Sequence, residues 1–232
     1  MKHHLLLLAS VAALAVSHGT VAQMMGYGGG GTSAAGDWEF GIGPVFTESK
    51  NVDFKGGSTV NLDSTTGVKI RTAWYVSPDL AIGFNFGWAG TSFNGHTQQA
   101  NGGTFLENGH VDFSTLMFDA VYTIGQRPIK PLLAAGLGWT WANTNIASGP
   151  PQTGCWWDPW WGYICSGYQP TVGSNSFTYQ VGAGVQFNFT RSFLIDLDYR
   201  YTWVQLSNAN GTPAIGAVEL LFIWRFPGSR YY

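Results

Sequence analysis

Residues 193–203 read Phe-Leu-Ile-Asp-Leu-Asp-Tyr-Arg-Tyr-Thr-Trp. Bulky apolar side chains stand at every odd position, whereas the even positions include Asp196, Asp198 and Arg200. A period of two is typical of a β-strand, because successive side chains of a strand point to opposite faces of the sheet. The stretch therefore predicts a strand with one apolar face and one charged face.

Seven other segments repeat this alternation. In each of them, bulky apolar residues alternate with small residues, amides or isolated charges; the segments are 37–46, 68–76, 80–88, 115–122, 133–141, 177–189 and 218–226. Each is close to the roughly 9–11 residues that a tilted membrane-spanning strand needs. Together with residues 193–203 they predict eight strands.

The composition separates a membrane barrel from a soluble β-sandwich. Charged residues make up 10% of the chain and aromatic residues 16%, whereas globular domains average about 25% charged residues. A soluble sandwich of this composition would expose a large aromatic surface to water. Aromatic residues also recur near the strand ends, where interfacial girdles would place them: Trp38, Trp74, Trp88, Tyr122, Trp139, Trp141, Trp203 and Trp224. We therefore predict an all-β fold, an eight-stranded antiparallel up-and-down transmembrane β-barrel.

The connections between the predicted strands alternate in length. Those at 77–79, 125–128 and 190–192 are tight, whereas those near 49–62, 91–109 and 143–173 are long and polar or irregular. Outer-membrane barrels have short periplasmic turns and long outer loops. Both ends of the predicted barrel, at Trp38 and Phe226, are therefore expected on the periplasmic side. The fourth outer loop, near 204–213, is short.

The N-terminal residues predict export. Met1–His4 is basic, an apolar run follows from Leu5 to Val16, and small residues lead to Ala22. This order is typical of a secretory signal, here residues 1–22 with cleavage between Ala22 and Gln23. We expect a glycine-rich flexible segment at 23–36, the barrel at 37–226 and a short tail at 227–232.

Eight strands enclose a space that side chains can fill. The predicted inward faces carry ten charged residues: Asp37, Glu39, Lys69, Arg71, Asp119, Asp196, Asp198, Arg200, Glu219 and Arg225. An unpaired charge in such an interior is costly, so we expect a network of ion pairs and hydrogen bonds. A relay that passes protons or ions would use the same residues and stays an alternative.

The strand ends also suggest a register. If Phe193 and Phe226 both lie at the periplasmic edge, antiparallel pairing places Arg200 beside Glu219. The same reasoning across the sixth strand places Gly182 next to Arg200 and Gly184 next to Asp198.

The segment 154–165 is the most distinctive part of the chain, because two cysteines flank a cluster of aromatic residues. Export through an oxidising compartment favours a disulfide between Cys155 and Cys165. A metal site is not favoured, since no histidine is nearby. The enclosed aromatic residues are Trp156, Trp157, Trp160, Trp161 and Tyr163. They could bind sugars, hydrophobic solutes or a host surface, or they could cover the barrel mouth or lie on lipopolysaccharide.

Three short segments carry a family resemblance: 131–139, 181–187 and 197–201. In this order and spacing they resemble the outer-membrane β-barrel domain family, which includes OmpA-type transmembrane domains and small surface antigens of Gram-negative bacteria. The resemblance covers about residues 37–226. It implies a barrel in the bacterial outer membrane with a structural, adhesive or small-solute role. It also implies a terminal aromatic residue read by the barrel-assembly machinery, for which Phe226 and Tyr232 are the candidates.

No motif predicts catalysis or a cofactor. The net charge of −2 without a basic patch disfavours nucleic acid, and Gly28–Gly31 lacks the lysine of a phosphate loop. His96 and His110, with Glu107, could form a lipase-like or metal site, which leaves a lipid-modifying enzyme as a remote alternative. We predict a non-enzymatic structural or surface-interaction barrel, with a narrow porin-like channel as the main alternative. The predicted partners are outer-membrane lipid, lipopolysaccharide and a host or other extracellular ligand at the outer loops.

Overall fold

The computed structural model describes residues 35–98, 104–125, 128–206 and 209–228, with the side chains of 97–98, 104–107 and 168 excepted. The predicted signal, its cleavage site and Tyr232 lie outside the described residues. Among the residues that are described, no helix is both long and apolar enough to cross a membrane.

The described chain forms twelve strands. They are β1 (Trp38–Thr47), β2 (Lys50–Asp53), β3 (Thr59–Leu62), β4 (Thr65–Ser77), β5 (Leu80–Gln98), β6 (Thr104–Thr123), β7 (Ile129–Ala147), β8 (Gln152–Asp158), β9 (Gly162–Tyr168), β10 (Thr171–Asn188), β11 (Phe193–Val204) and β12 (Ala214–Phe226). Eight of them pair into a closed antiparallel ring in the order β1-β4-β5-β6-β7-β10-β11-β12. This confirms the predicted eight-stranded barrel.

The ring closes between β1 and β12, where Phe40 lies opposite Trp224 and Glu39 opposite Arg225. The predicted alternation holds in this strand: Phe40 is exposed on the outer face, whereas Glu39 is buried inside. Such an apolar exterior suits lipid, and a closed ring has no strand edge whose backbone groups would be left unpaired there.

The barrel wall is much taller on one side than on the other. β5, β6, β7 and β10 have 18 to 20 residues, whereas β1, β4, β11 and β12 have 10 to 13. The connections near 91–109 and 143–173, predicted to be long and polar or irregular, form strands over most of their length, and β5 pairs with β6 as far as Gln98 and Thr104. Only scattered apolar residues such as Phe93, Val111 and Phe113 occur there, so the continuous apolar period that marks a strand in lipid is missing while the hydrogen-bonded ladder continues.

The low side of the wall is completed by the first outer loop, which was predicted to be polar or irregular and is also largely strand. Its residues form the β2–β3 hairpin, and β3 pairs with the extension of β5. At the hairpin tip, Phe54 bridges Ala209 of the fourth outer loop, and Asn210 donates a backbone hydrogen bond to Asp53. The fourth loop is short because it only has to receive this hairpin.

The third outer loop carries a separate two-stranded sheet, made of β8 and β9. Cys155 lies directly opposite Cys165 in this hairpin, and the two form a disulfide. This confirms the disulfide that the sequence predicted.

The periplasmic end of the lumen is packed with apolar side chains. One cluster joins Leu194, Leu221 and Ile223, all of which are fully buried. Two further clusters come from β4–β5 and β6–β7. Asp37 lies just before β1 and is half-buried; one of its carboxylate oxygens accepts a hydrogen bond from the backbone of Gly228.

Candidate functional site

The inward faces of the barrel strands carry ten buried charged side chains among the described residues. Five are acids and five are bases: Glu39, Asp119, Asp196, Asp198 and Glu219, and Lys69, Arg71, Lys130, Arg200 and Arg225. Because the two sets are equal in number, the lumen is electrically balanced as a whole. Nine of the ten are residues that the alternation placed inside, and Lys130 is the addition.

Arg200 is the centre of the larger cluster. Its guanidinium donates to both carboxylate oxygens of Asp198, at 3.0 and 3.2 Å, and it also pairs with Asp119. Its Nε atom lies 3.0 Å from Oε2 of Glu219, an ion-pair contact without hydrogen-bond alignment. One fully buried cation thus faces three carboxylates from three different strands.

Lys69 and two amides complete this cluster. Lys69 pairs with Glu219. Lys69 is thus the second cation of a cluster that contains three carboxylates. Gln180 donates to Asp119 at 2.7 Å, and Asn85 donates to the same carboxylate. Asp119 therefore has an arginine and two amide donors, which is how a buried carboxylate is satisfied.

The predicted register of the last two strands was wrong by two residues. Asp198 lies opposite Glu219, and Arg200 lies opposite Ala217. The cause is at the periplasmic edge, where Phe193 faces Trp224 and not Phe226. Arg200 still reaches Glu219, because its side chain is long enough to cross diagonally to the next inward position.

Glycines on the neighbouring strands leave room for these long side chains. Gly182 lies opposite Arg200, as predicted, and a Cβ atom there would come within 2.7 Å of the Arg200 Cγ atom. A Cβ atom at Gly136 would overlap the Asp119 carboxylate. The glycines in the alternating pattern therefore give the charged side chains their space.

A second cluster is built around Glu39, nearer to the periplasmic end. Its carboxylate accepts hydrogen bonds from Tyr75 at 2.7 Å and from Arg225 at 3.0 and 3.2 Å. Arg71 joins this cluster to Asp196, with distances of 3.3 Å to Glu39 and 2.8 Å to Asp196. The cluster ties β1 to β4, β11 and β12, and it lies across the seam where the barrel closes.

Sequence reasoning missed two residues of the lumen. The alternation places Tyr75 on the inward face, but it does not predict the hydrogen bond from Tyr75 to Glu39. Tyr75 is neutral, and the predicted network included only charged residues. Lys130 is only 2% exposed, yet it lies before Pro131, ahead of the segment in which the alternation was recognised. The continuing period of β7 could have identified it, since Lys130, Leu132 and Ala134 share one face.

The β8–β9 hairpin presents the aromatic residues that the sequence singled out. Trp160 is 90% exposed and Trp161 is 81% exposed, and Trp156, Trp157 and Tyr163 are also exposed. This exposure does not fit the alternative in which the rings cover the barrel mouth. The hairpin pairs with itself and with no barrel strand among the described residues, so nothing covers these rings.

The tip of this hairpin has a defined turn. The Asp158 carboxylate accepts hydrogen bonds from the backbone N–H groups of Trp160 and Trp161, at 2.8 and 3.0 Å. Gly162 follows with a φ of 76°, a conformation that side-chain-bearing residues rarely adopt. These contacts, with the disulfide below them, fix the backbone from which the two tryptophans project.

The structure does not bring the two histidines together. His110 lies opposite Ser92, four residues along β5 from His96, which is a distance of about 13 Å at 3.3 Å per residue. His110 is 3.5 Å from Asp112, and both side chains are about half exposed. Among the described residues, no group of three or more metal-binding side chains is found. Glu107 lies opposite Gly95 in the register.

The chain belongs to the outer membrane protein β-barrel domain family, whose profile matches residues 5–226. It is thus a bacterial outer-membrane β-barrel, as the resemblance implied. No curated protein shows significant similarity to the sequence.

The solved structures that are similar to this chain have low sequence identity to it. Neisserial surface protein A is 16% identical, with 83% of this chain and 97% of that chain covered and a TM-score of 0.49. Ail of Yersinia pestis, solved with the heparin analogue sucrose octasulfate, is 17% identical, with coverages of 82% and 99% and a TM-score of 0.47. OprG of Pseudomonas aeruginosa is 12% identical, with coverages of 85% and 99% and a TM-score of 0.46.

Proposed function

We propose that the protein is a surface-contact barrel, which holds the β8–β9 hairpin outside the outer membrane and uses its aromatic tip to bind the lipid surface of an apposed membrane. The observation that carries this proposal is the exposure of Trp160 and Trp161 on a turn fixed by Asp158. Tryptophan and tyrosine favour the membrane–water interface, where the ring meets apolar chains and the N–H or O–H group stays wet.

The shape and charge of the hairpin favour lipid over other surfaces. Residues 152–168 contain no lysine or arginine, so a polyanion would find no cation to bind. Small-molecule and sugar sites are usually concave, whereas these tryptophans project from a turn. A convex aromatic tip suits insertion into a soft interface, since it has no lysine or arginine and its one acid, Asp158, is bonded to the backbone of the turn.

Tryptophan replacement tests this proposal. The variant Trp156→Ser/Trp157→Ser/Trp160→Ser/Trp161→Ser, in nanodiscs, should no longer co-float with phosphatidylcholine vesicles, whereas the wild type should. A control in the same hairpin, Thr153→Ala/Ser166→Ala, should bind like the wild type. Equal vesicle binding by the wild type and the four-serine variant would refute the proposal.

Two other binding modes would also overturn it. In nanodiscs without vesicles, part of the blue-shifted tryptophan emission could be lost on the four-serine replacement. That loss would place the hairpin tryptophans on the protein's own bilayer. Saturable binding of a neutral oligosaccharide such as maltohexaose, with no vesicle binding, would identify a sugar site.

The lumen supports the role of an anchor. The ion network places paired side chains across the barrel interior, so neither a channel nor a catalytic role is part of the proposed function. The apolar outer face meets outer-membrane lipid and lipopolysaccharide. Export through a cleaved signal at Ala22 and recognition of Phe226 by the barrel-assembly machinery belong to the same proposal.

A further inference from the structure

The outer half of the lumen contains a cavity of about 140 Å³. It lies above the ion network, and its floor includes Lys69, Asn85 and Glu219. At its outer edge it is lined by Glu48 and Asp63, which are exposed, so the cavity reaches solvent on that side. It is separate from the aromatic hairpin, and the surface-contact role does not use it.

The wall of this cavity is largely apolar. Six bulky apolar side chains contribute to it: Val45, Leu62, Phe113, Met117, Val204 and Ile215. Six threonines also line the cavity, and four of them have hydrogen-bonded hydroxyl groups: Thr65, which donates to the carbonyl of Gly90, and Thr91, Thr115 and Thr140. Thr91 donates to the carbonyl of Asp63, and Thr115 and Thr140 bond to each other at 3.1 Å. Their methyl groups therefore remain as the surface that an occupant would touch.

The charged groups of the floor are paired, whereas the Asn85 Oδ1 and Glu219 Oε2 atoms accept no hydrogen bond. The Lys69 ammonium is paired with Glu219, and the Asn85 amide donates to Asp119. The buried acids and bases already balance, so a further ion would add an uncompensated charge at high desolvation cost. The exposed Asp63 at the outer edge opposes anions in addition. An uncharged occupant fits best.

Gly87 creates part of this space. It lies on the inward face between Asn85 and Ala89, and a Cβ atom there would meet nothing closer than the carbonyl oxygen of Val68, at 4.0 Å. Most other inward glycines of the barrel wall would instead collide with a neighbouring strand or side chain. Gly87 is therefore the position at which the cavity can be filled without disturbing the wall.

We propose that this cavity binds one small, uncharged, apolar molecule of about the size of a single aromatic ring. Apolar cavities of about 150 Å³ stay dry and accept benzene, and the volume here is close to that. The floor is sealed by the ion network, so the cavity is a dead-end site reached from the outer side.

Methionine NMR on the full chain in detergent micelles tests this proposal. Met117 lines the cavity, and the other methionines are Met1, Met24 and Met25. With ¹³C-methyl methionine, the Met117 signal should shift saturably on titration with toluene and should not shift with benzoate. Gly87→Leu should weaken toluene binding at least tenfold, whereas Phe86→Leu, on the lipid-facing side of the same strand, should change it less than twofold.

Three results would overturn the proposal: a toluene shift that does not saturate, an equal shift in Gly87→Leu, or an equal effect of benzoate. Gel mobility before and after boiling shows whether Gly87→Leu is folded. If that variant does not fold, Gly87→Ala replaces it, because one methyl group should still weaken toluene binding measurably. Unchanged binding in Gly87→Ala would then count against the site.

Discussion

Replacing Arg200 with methionine should destabilise the barrel more than any lipid-facing substitution. Arg200 is fully buried and contacts Asp119, Asp198 and Glu219. Without it, three carboxylates would share the single cation of Lys69. Removing one partner of a buried ion pair costs about 3–5 kcal/mol, and the loss here should be at least that large.

Urea unfolding in detergent, followed by tryptophan fluorescence, measures this loss. With an m-value of about 2 kcal/mol per molar urea, a loss of about 4 kcal/mol lowers the midpoint by about 2 M. The control is Tyr199→Phe, which removes only a 3.1 Å hydrogen bond from Tyr199 to the exposed Glu48 and should cost about 1 kcal/mol or less.

A second substitution separates the charge effect from the loss of packing. Arg200→Met/Asp119→Asn removes one of the stranded carboxylates while keeping an oxygen for the Gln180 amide, so it should recover part of the lost stability. Equal tolerance of Arg200→Met and Tyr199→Phe, or no recovery in the double variant, would refute the view that paired charges hold the lumen together.

Two further predictions concern the barrel wall and the hairpin. Gly138→Ala should lower the urea midpoint of unfolding clearly, because its Cβ atom would overlap the backbone of Leu116, whereas Gly87→Ala should leave the midpoint unchanged. The same urea titration compares the two variants, and equal effects would contradict the description of the cavity. Cys155→Ser/Cys165→Ser should leave the heat-modifiable gel mobility unchanged and accelerate proteolysis within 152–168, since the hairpin is a separate sheet. Loss of the folded band on the gel would show that the disulfide supports the barrel.

The strands inside lipid could be predicted from the sequence, because the membrane imposes an apolar residue at every second position. Residues 193–203 show this best, and the inward placement of Asp198 and Arg200 follows directly. Where the wall rises into water, that constraint ends. The extensions of β5 and β6 keep only scattered apolar residues, such as the buried Phe93 and Val111, so only the structure shows that the ladder continues to Gln98 and Thr104.

Contacts between distant strands were harder to predict than the faces of single strands. The register of β11 and β12 depends on where each strand begins at the periplasmic turn, and that starting point was misjudged by two residues at Phe193. The bond between Tyr75 and Glu39 joins two strands through a neutral donor, which a count of charges does not reveal. The exposure of Trp160 depends on how the hairpin leaves the barrel, and local sequence does not determine that.

Planar-bilayer conductance of the refolded barrel tests most directly whether the protein works at its outer surface and not through its lumen. The preparation is first shown to be folded by its heat-modifiable gel mobility. Because Arg200 and the Glu39 cluster fill the interior with paired side chains, the wild type should give a flat baseline under an applied voltage. Reproducible conductance steps from the folded wild type would contradict the closed lumen.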